Sequence, residues 1–295
     1  MKAITTVLAG FALALTLAPA PGARAADGKL AVVAAENFYG DIARQIGGDR
    51  VDVVNVMSNP DQDPHLFETT PGIVRQIANA QIIILNGADY DPWMEKLVAA
   101  APQPGRVVIN AGAVTAAKAG GNPHLWYAPA TMPAVAKAMA EAFSKADAAH
   151  AGDYAARLSA TLASLERVNR RVADIKAKHN GQPVTATEPV FGPMANALGL
   201  TMRNQRFQLA MQNDTEPSAR DVAAFENDLK GQKVKLLLYN SQVSEKLTER
   251  LLAIAKTAKV PVVAVTETLP AGMTFQDWML GQLDAVDKAL TGPNS

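Results

Sequence analysis

Beyond the first 25 residues, the chain alternates short β-branched runs with stretches in which apolar positions recur every three or four residues. The short runs predict strands over 30–35, 51–57, 81–86, 106–109, 183–187, 234–239 and 261–265. The amphipathic stretches predict helices over 38–46, 71–79, 191–198, 219–229, 244–258 and 274–290. Within the third strand, Ile82-Ile83-Ile84-Leu85 is apolar throughout, as in a strand covered on both faces. Strands and helices alternating in this way imply parallel sheets with right-handed crossovers.

The rhythm runs through twice, once on each side of a long helical pattern. There Tyr154, Leu158, Leu162, Leu165, Val168, Val172 and Ile175 make one apolar stripe, and Gly181 and Pro183 stand just past its end. A helix of about 26 residues would reach roughly 39 Å at ~1.5 Å per residue. An ordinary surface helix would show the same stripe, but the position between two complete α/β patterns favours a strut. The expected fold is therefore α/β, with two similar lobes, each a mainly parallel sheet flanked by helices, joined by one long backbone helix. The expected boundaries are a signal peptide at 1–25, an N-terminal lobe at 26–147, the linking helix at 148–180 and a C-terminal lobe at 181–295.

The leader is read from Lys2, the apolar run over 7–17, the helix-breaking stretch 19–22 and the small-x-small site Ala23-Arg24-Ala25. The run is too short to span a bilayer, which takes roughly 20 apolar residues. Export as a soluble periplasmic protein is expected, neither membrane-embedded nor oligomeric. Cleavage after Ala25 removes Lys2 and Arg24 and leaves a net charge of about −2.

Composition then narrows the chemistry. The 28 Lys and Arg against 28 Asp and Glu give no positive field for nucleic acid, and 48% hydrophobic residues exclude a disordered chain. The absence of cysteine excludes a thiolate zinc site, an iron–sulfur cluster, a thiol nucleophile and a lipid-modified cysteine. A metal would have to sit among imidazoles and oxygens, and there are four histidines.

Two of the four occupy near-identical frames, Asp63-Pro64-His65-Leu66-Phe67 and Asn122-Pro123-His124-Leu125-Trp126. Proline fixes its own φ and pushes the preceding residue to an extended conformation, so each histidine sits in a stiff loop. Such a loop can hold an imidazole in place before an ion arrives. His150 and His179, at the two ends of the strut among polar residues, are read as solvated.

Two carboxylates suit the remaining positions. Glu188 directly follows the strand 183–187, and Glu267 follows Thr266 after the strand 261–265. Ligands of open parallel sheets bind beyond the carboxyl ends of strands. His65, His124, Glu188 and Glu267 would make a cage of formal charge zero around a divalent cation. Asp63 or Glu68 could accept the second N–H of His65, and Asn240 could steady a carboxylate ligand. Trp93, Trp126 and Trp278 are assigned to packing.

The stretch from Asn59 to Pro71, Asn59-Pro60-Asp61-Gln62-Asp63-Pro64-His65-Leu66-Phe67-Glu68-Thr69-Thr70-Pro71, resembles the first ligand loop of the zinc/manganese (cluster A-I) substrate-binding proteins of ABC transporters. Asn86-Gly87 followed by Trp93 is similar to that family's strand exit. Asn122-Pro123-His124-Leu125-Trp126-Tyr127-Ala128-Pro129 resembles its second histidine loop, and Thr187-Glu188-Pro189-Val190-Phe191-Gly192 its third ligand segment. The resemblance covers nearly the whole mature chain in order. It implies one Zn2+ or Mn2+ ion between two lobes, delivered to a membrane permease with its ATPase. It places His65, His124 and Glu188 at ligand positions, and Glu267 where relatives usually carry Asp. Asn122 replaces a more usual Asp. The segment 111–121 lacks the His- and acid-rich loop of many zinc-specific relatives.

Two nitrogens with two carboxylates admit Mn2+ or Fe2+, while the Irving–Williams order favours Zn2+ over Mn2+ at the same donors. The expected function is a binding protein, not an enzyme. A metal-dependent hydrolase is the rival from another class and would need an open coordination position and a general base. A surface adhesion protein with a structural metal and a binder of organic solutes are further alternatives.

Overall fold

The computed structural model describes residues 28–58, 67, 69–243 and 245–292. The expected leader, His65 with Asp63 and Glu68, and Ser244 at the start of one expected helix lie outside the described residues.

The first sheet holds β1 (Leu30–Glu36), β2 (Val51–Met57), β3 (Ile82–Leu85) and β4 (Val107–Asn110), all parallel, in the order β2-β1-β3-β4. The second holds β5 (Pro183–Ala186), β6 (Thr201–Met202), β7 (Leu237–Asn240) and β8 (Val262–Val265), again parallel, in the order β6-β5-β7-β8. The two orders are the same topology written twice, as the repeated sequence rhythm predicts. Val32 pairs with Ile82 and Ile84 with Ile109, which stacks the apolar run of β3 in the middle of its sheet.

The helices of the first half are α1 (Asn37–Gly47), α2 (Pro71–Asn79), α3 (Pro92–Ala100), α4 (Ala111–Val114) and α5 (Thr131–Ala146). After the long α6 (Ala151–His179) come α7 (Gly192–Ala197), α8 (Gln205–Gln212), α9 (Ala219–Lys230), α10 (Lys246–Thr257) and α11 (Phe275–Thr291). Their starts follow local rules. Thr70 caps α2 by accepting from Ile73 N–H, with Pro71 at the first turn, and Ser218 and Thr274 cap α9 and α11 in the same way.

α6 packs against α1 and α5 on one side and α11 on the other. Its stripe is the expected one: Tyr154, Leu165, Val168, Val172 and Ile175 are buried, and Leu158 and Leu162 pack against the same core. That core runs through both halves. Phe38 on α1 lies 4.6 Å from Trp126 and 6.0 Å from Trp278 on α11, and Tyr127 meets Phe191 at 5.2 Å.

His179 departs from expectation. It is buried at the end of α6, with Nε2 2.7 Å from Asp287 Oδ1 on α11 and Gln182 at Nδ1. Its polar neighbours in sequence concealed a partner 108 residues away. His150 is half-buried and meets Asp147 Oδ2 at 2.7 Å, closing the α5–α6 turn rather than facing water alone.

Arg171 and Lys178 also reach Asp287. Burial alone would raise the Asp287 carboxyl, but hydrogen bonds from His179, Arg171 and Lys178 bring it down to about 2. A carboxyl lowered on folding contributes stability above its unfolded pKa and loses it as pH falls through the folded value. Asp287→Ala is therefore expected to cost about 1–3 kcal/mol at pH 7 by urea denaturation. The gap from wild type should narrow as pH falls below ~4, the unfolded carboxyl value.

Candidate metal centre

In a parallel sheet of this order the crossovers leave β1 and β3 in opposite directions, opening a crevice at their carboxyl ends. The same holds for β5 and β7. Glu36 ends β1, Asn86 follows β3, Glu188 lies two residues past β5, Asn240 ends β7 and Glu267 lies two residues past β8. The two crevices meet at the seam between the sheets, where Glu36, Asn86, Asp91, His124, Glu188, Asn240 and Glu267 are all buried.

His124 is held by the residue two positions before it. Asn122 Oδ1 accepts from His124 N–H at 3.0 Å and faces its Nδ1 at 2.8 Å. The Asn122 amide is oriented in turn by its Nδ2, which donates to Pro189 O at 2.7 Å. Nδ1 therefore carries the ring proton, and Nε2 presents a lone pair. That nitrogen is buried, meets no hydrogen-bond donor or acceptor in bonding geometry, and lies 3.3 Å from Glu267 Oε2. A lone pair against a carboxylate oxygen repels it unless positive charge lies between them. Two donors at tetrahedral angles, each ~2.1 Å from one ion, stand roughly 3.4 Å apart, close to the separation found.

Glu267 is completely buried and fixed at both oxygens: Asn240 Nδ2 donates to Oε1 at 2.7 Å and Tyr90 O–H to Oε2 at 2.9 Å. Burial, followed by the neighbouring Glu267 charge, holds the Tyr90 phenol well above its ordinary range, so it remains a donor. Asn240 Nδ2 also donates to Glu188 Oε2 at 3.0 Å, so one amide group serves both carboxylates. Its carbonyl accepts from Gln242 N–H, and Gln242 Oε1 accepts from the Glu267 backbone N–H.

The chain around Glu267 is bonded to the first half as well. Tyr127 O–H donates to Thr266 O at 2.7 Å. Asn37 forms a reciprocal pair with Leu269, Nδ2 to O at 2.7 Å and N–H to Oδ1 at 2.9 Å, and Phe275 N–H donates to Asp41. The loop after β3 is tied to the His124 loop by Asn86 Nδ2, which donates to Pro123 O at 2.9 Å, while Tyr39 O–H donates to Asn86 Oδ1.

Of the four expected ligands, the structure brings His124 against Glu267 and joins Glu188 to Glu267 through Asn240. His65 lies outside the described residues. Among the described residues no three His, Cys, Asp or Glu side chains are already spaced to hold an ion. Tyr90, Gln242, Glu36 and Asp91 were not anticipated. Their one signal is position, at or just after strand ends, where a polar residue faces the crevice.

Both the sequence and the twice-written parallel topology match known proteins. The chain belongs to the ZnuA family, described as zinc-uptake complex component A, periplasmic, whose model matches residues 32–289. The manganese-binding lipoprotein MntA of Bacillus subtilis (strain 168) is 26% identical over 245 residues, covering 79% of this chain and 78% of that protein. The iron ABC transporter substrate-binding lipoprotein MtsA of Streptococcus pyogenes serotype M1 is 23% identical over 288 residues, covering 89% of each. In fold, the chain is similar to the periplasmic zinc binding protein TroA from Treponema pallidum, with a TM-score of 0.74, 21% identity, and 89% of this chain and 99% of that one covered. The names of these three proteins carry manganese, iron and zinc.

If Asn240 holds both carboxylates, Asn240→Leu should destabilise the metal-free protein by about 1–3 kcal/mol, since it withdraws a buried donor from each. Urea denaturation at pH 7 reads this loss, and a change within ~0.5 kcal/mol of wild type would contradict it.

Proposed function

We propose that this protein captures one divalent transition metal ion, Mn2+ or Zn2+, at the seam and delivers it to an ABC permease with its ATPase. The observation that carries this reading is the His124 Nε2 lone pair, buried 3.3 Å from a Glu267 oxygen and lacking a hydrogen bond. An ion placed there turns a repulsion into two bonds. His65, His124, Glu188 and Glu267 are the proposed ligands. Asn122 sets the imidazole tautomer, while Tyr90 and Asn240 hold the carboxylates so that little ordering is left to ion entry.

The family membership and the metals in the relatives' names support a carrier rather than an enzyme. The sequence has no cysteine to carry the lipid of those lipoproteins, so the proposed route is export by the leader and release into the periplasm after Ala25. No helix among the described residues is long and apolar enough to cross a membrane.

Competitive titration of the protein lacking residues 1–25 with Zn2+ and Mn2+ tests the reading and ranks the metals. One tight ion per chain is expected. His65→Ala, His124→Ala and Glu267→Ala should each weaken it by more than the roughly 10–100-fold that loss of an outer partner costs, and Tyr90→Phe should fall inside that range. Failure of wild type to bind either ion tightly would overturn the function. An unchanged Glu267→Ala would remove that carboxylate from the ligand set.

Protons compete with the ion for imidazole, so affinity should fall as pH drops through about 6.5, the free side-chain value. Equal affinity at pH 8 and pH 5 would exclude histidine ligands.

A further inference from the structure

Glu36 has both carboxyl oxygens among the buried side-chain atoms without a hydrogen-bond partner. It ends β1 and precedes α1, its side chain makes no cap bond to the helix, it is completely buried, and neither carboxyl oxygen is hydrogen-bonded by another residue's N–H or O–H. What faces it is a second buried carboxyl, Asp91. The titratable groups around the pair among the described residues are Tyr39 on α1 and Tyr90 beside Asp91 on the β3–α3 loop. No lysine or arginine pairs with either carboxyl among the described residues.

Asp91 has its own task. Its Oδ2 accepts from Asn86 N–H at 2.8 Å and its Oδ1 from Gly87 N–H at 2.7 Å. These bonds close a strained loop: Gly87, Ala88 and Asp89 have φ of 66°, 52° and 63°, three consecutive residues in the left-handed region. At Gly87 a side chain is excluded twice, by that φ and by Asn110 Oδ1, which would lie 2.2 Å from a Cβ. The loop presents Tyr90 to Glu267 and, through Asn86, fixes Pro123 ahead of His124.

Two bare carboxylates cannot face each other in a site without donors for both. Asp91, with the Asn86 and Gly87 N–H groups on its two oxygens, is the better anion, and Glu36, with no N–H near it but its own, is the better acid. We propose that Glu36 and Asp91 are a proton-binding pair in which Glu36 O–H donates to the Asp91 carboxylate, and that this proton holds the loop that positions Tyr90 and His124. Glu36 is thus a positioning residue acting through Asp91. The role deepens the metal-capture reading, but the proton is carried by the metal-free protein.

The direction of the titration agrees. Burial first, then Asp91, hold the Glu36 carboxyl well above its ordinary range, and burial raises Asp91 to about 6 against its backbone donors. Carboxyls raised on folding keep their full contribution below the unfolded pKa and lose it as pH rises through the folded one. A native state holding one more proton than the unfolded chain makes the unfolding constant climb tenfold per pH unit.

Equilibrium urea unfolding of the metal-free protein lacking residues 1–25, from pH 5 to pH 8, compares wild type with Glu36→Gln. The amide can donate to Asp91 without titrating. Wild type should show one proton's worth of slope more than the variant, up to tenfold in the unfolding constant per unit. Protection of the Asn86 and Gly87 amides from hydrogen exchange, corrected for the intrinsic pH effect, should fall over the same range in wild type alone. If Glu36→Gln does not fold, Glu36→Met, which also carries no proton, takes its place with the same expected slope. Equal slopes in wild type and variant would overturn the pair. Since no metal is present, that failure is distinct from a failure to bind Zn2+ or Mn2+.

Discussion

Four carboxyl groups, Glu36, Asp91, Glu188 and Glu267, are buried at one seam, and the middle of the molecule is organised around that fact. An uncompensated buried charge costs several kcal/mol even after relaxation. Each carboxyl has a different remedy. Asp91 takes two backbone N–H groups, Glu267 takes a phenol and an amide, and Glu188 shares that amide. Glu36 faces another acid, Asp91. What the donors leave over is negative potential aimed at a bare imidazole nitrogen, which is the physical description of an appetite for cations.

Holding these groups at fixed positions takes a rigid surround, and the core supplies it. A single apolar cluster passes from β1 and α1 through Trp126 and Tyr127 to Phe191 and α11, with α6 laid along its side. Close packing of this kind transmits displacement rather than absorbing it. The positions of His124 and Glu267 thus depend on the aromatic contacts behind them as much as on the hydrogen bonds that hold their side chains.

Most of the scaffold was legible because β-branched runs and three-four periodicity are local signals. β2 and α2 fall at the residues their pattern indicates. β6 has two residues, too few to show alternation, and the alanine-rich α5 lies outside the expected helices. At the site, His124, Glu188, Glu267 and Asn240 stood out as chemistry-bearing residues at loop and strand ends. Tyr90 did not, because a loop tyrosine reads as packing until Glu267, 177 residues later, is placed beside it. Glu36 falls between the expected strand 30–35 and helix 38–46, where nothing in the local sequence marks it. His179 was misread for the same reason: Lys176, Lys178 and Asn180 advertise solvent, and only the return of α11 covers it.

The bonds from Tyr127, Asn37 and Asp41 to the stretch between Thr266 and Phe275 have a mechanical meaning. By sequence Glu267 belongs with the second sheet, and by hydrogen bonds it is tied to both halves, to Asn240 and Gln242 on one side and to Tyr90 on the other. His124 and Tyr90 meet Glu267 from the first half, and the Asn240 amide meets it from the second and spans on to Glu188. The Asn240 amide is therefore a joint between the two carboxylates, and the stretch from Thr266 to Phe275 is a strap that sews the second sheet to the first.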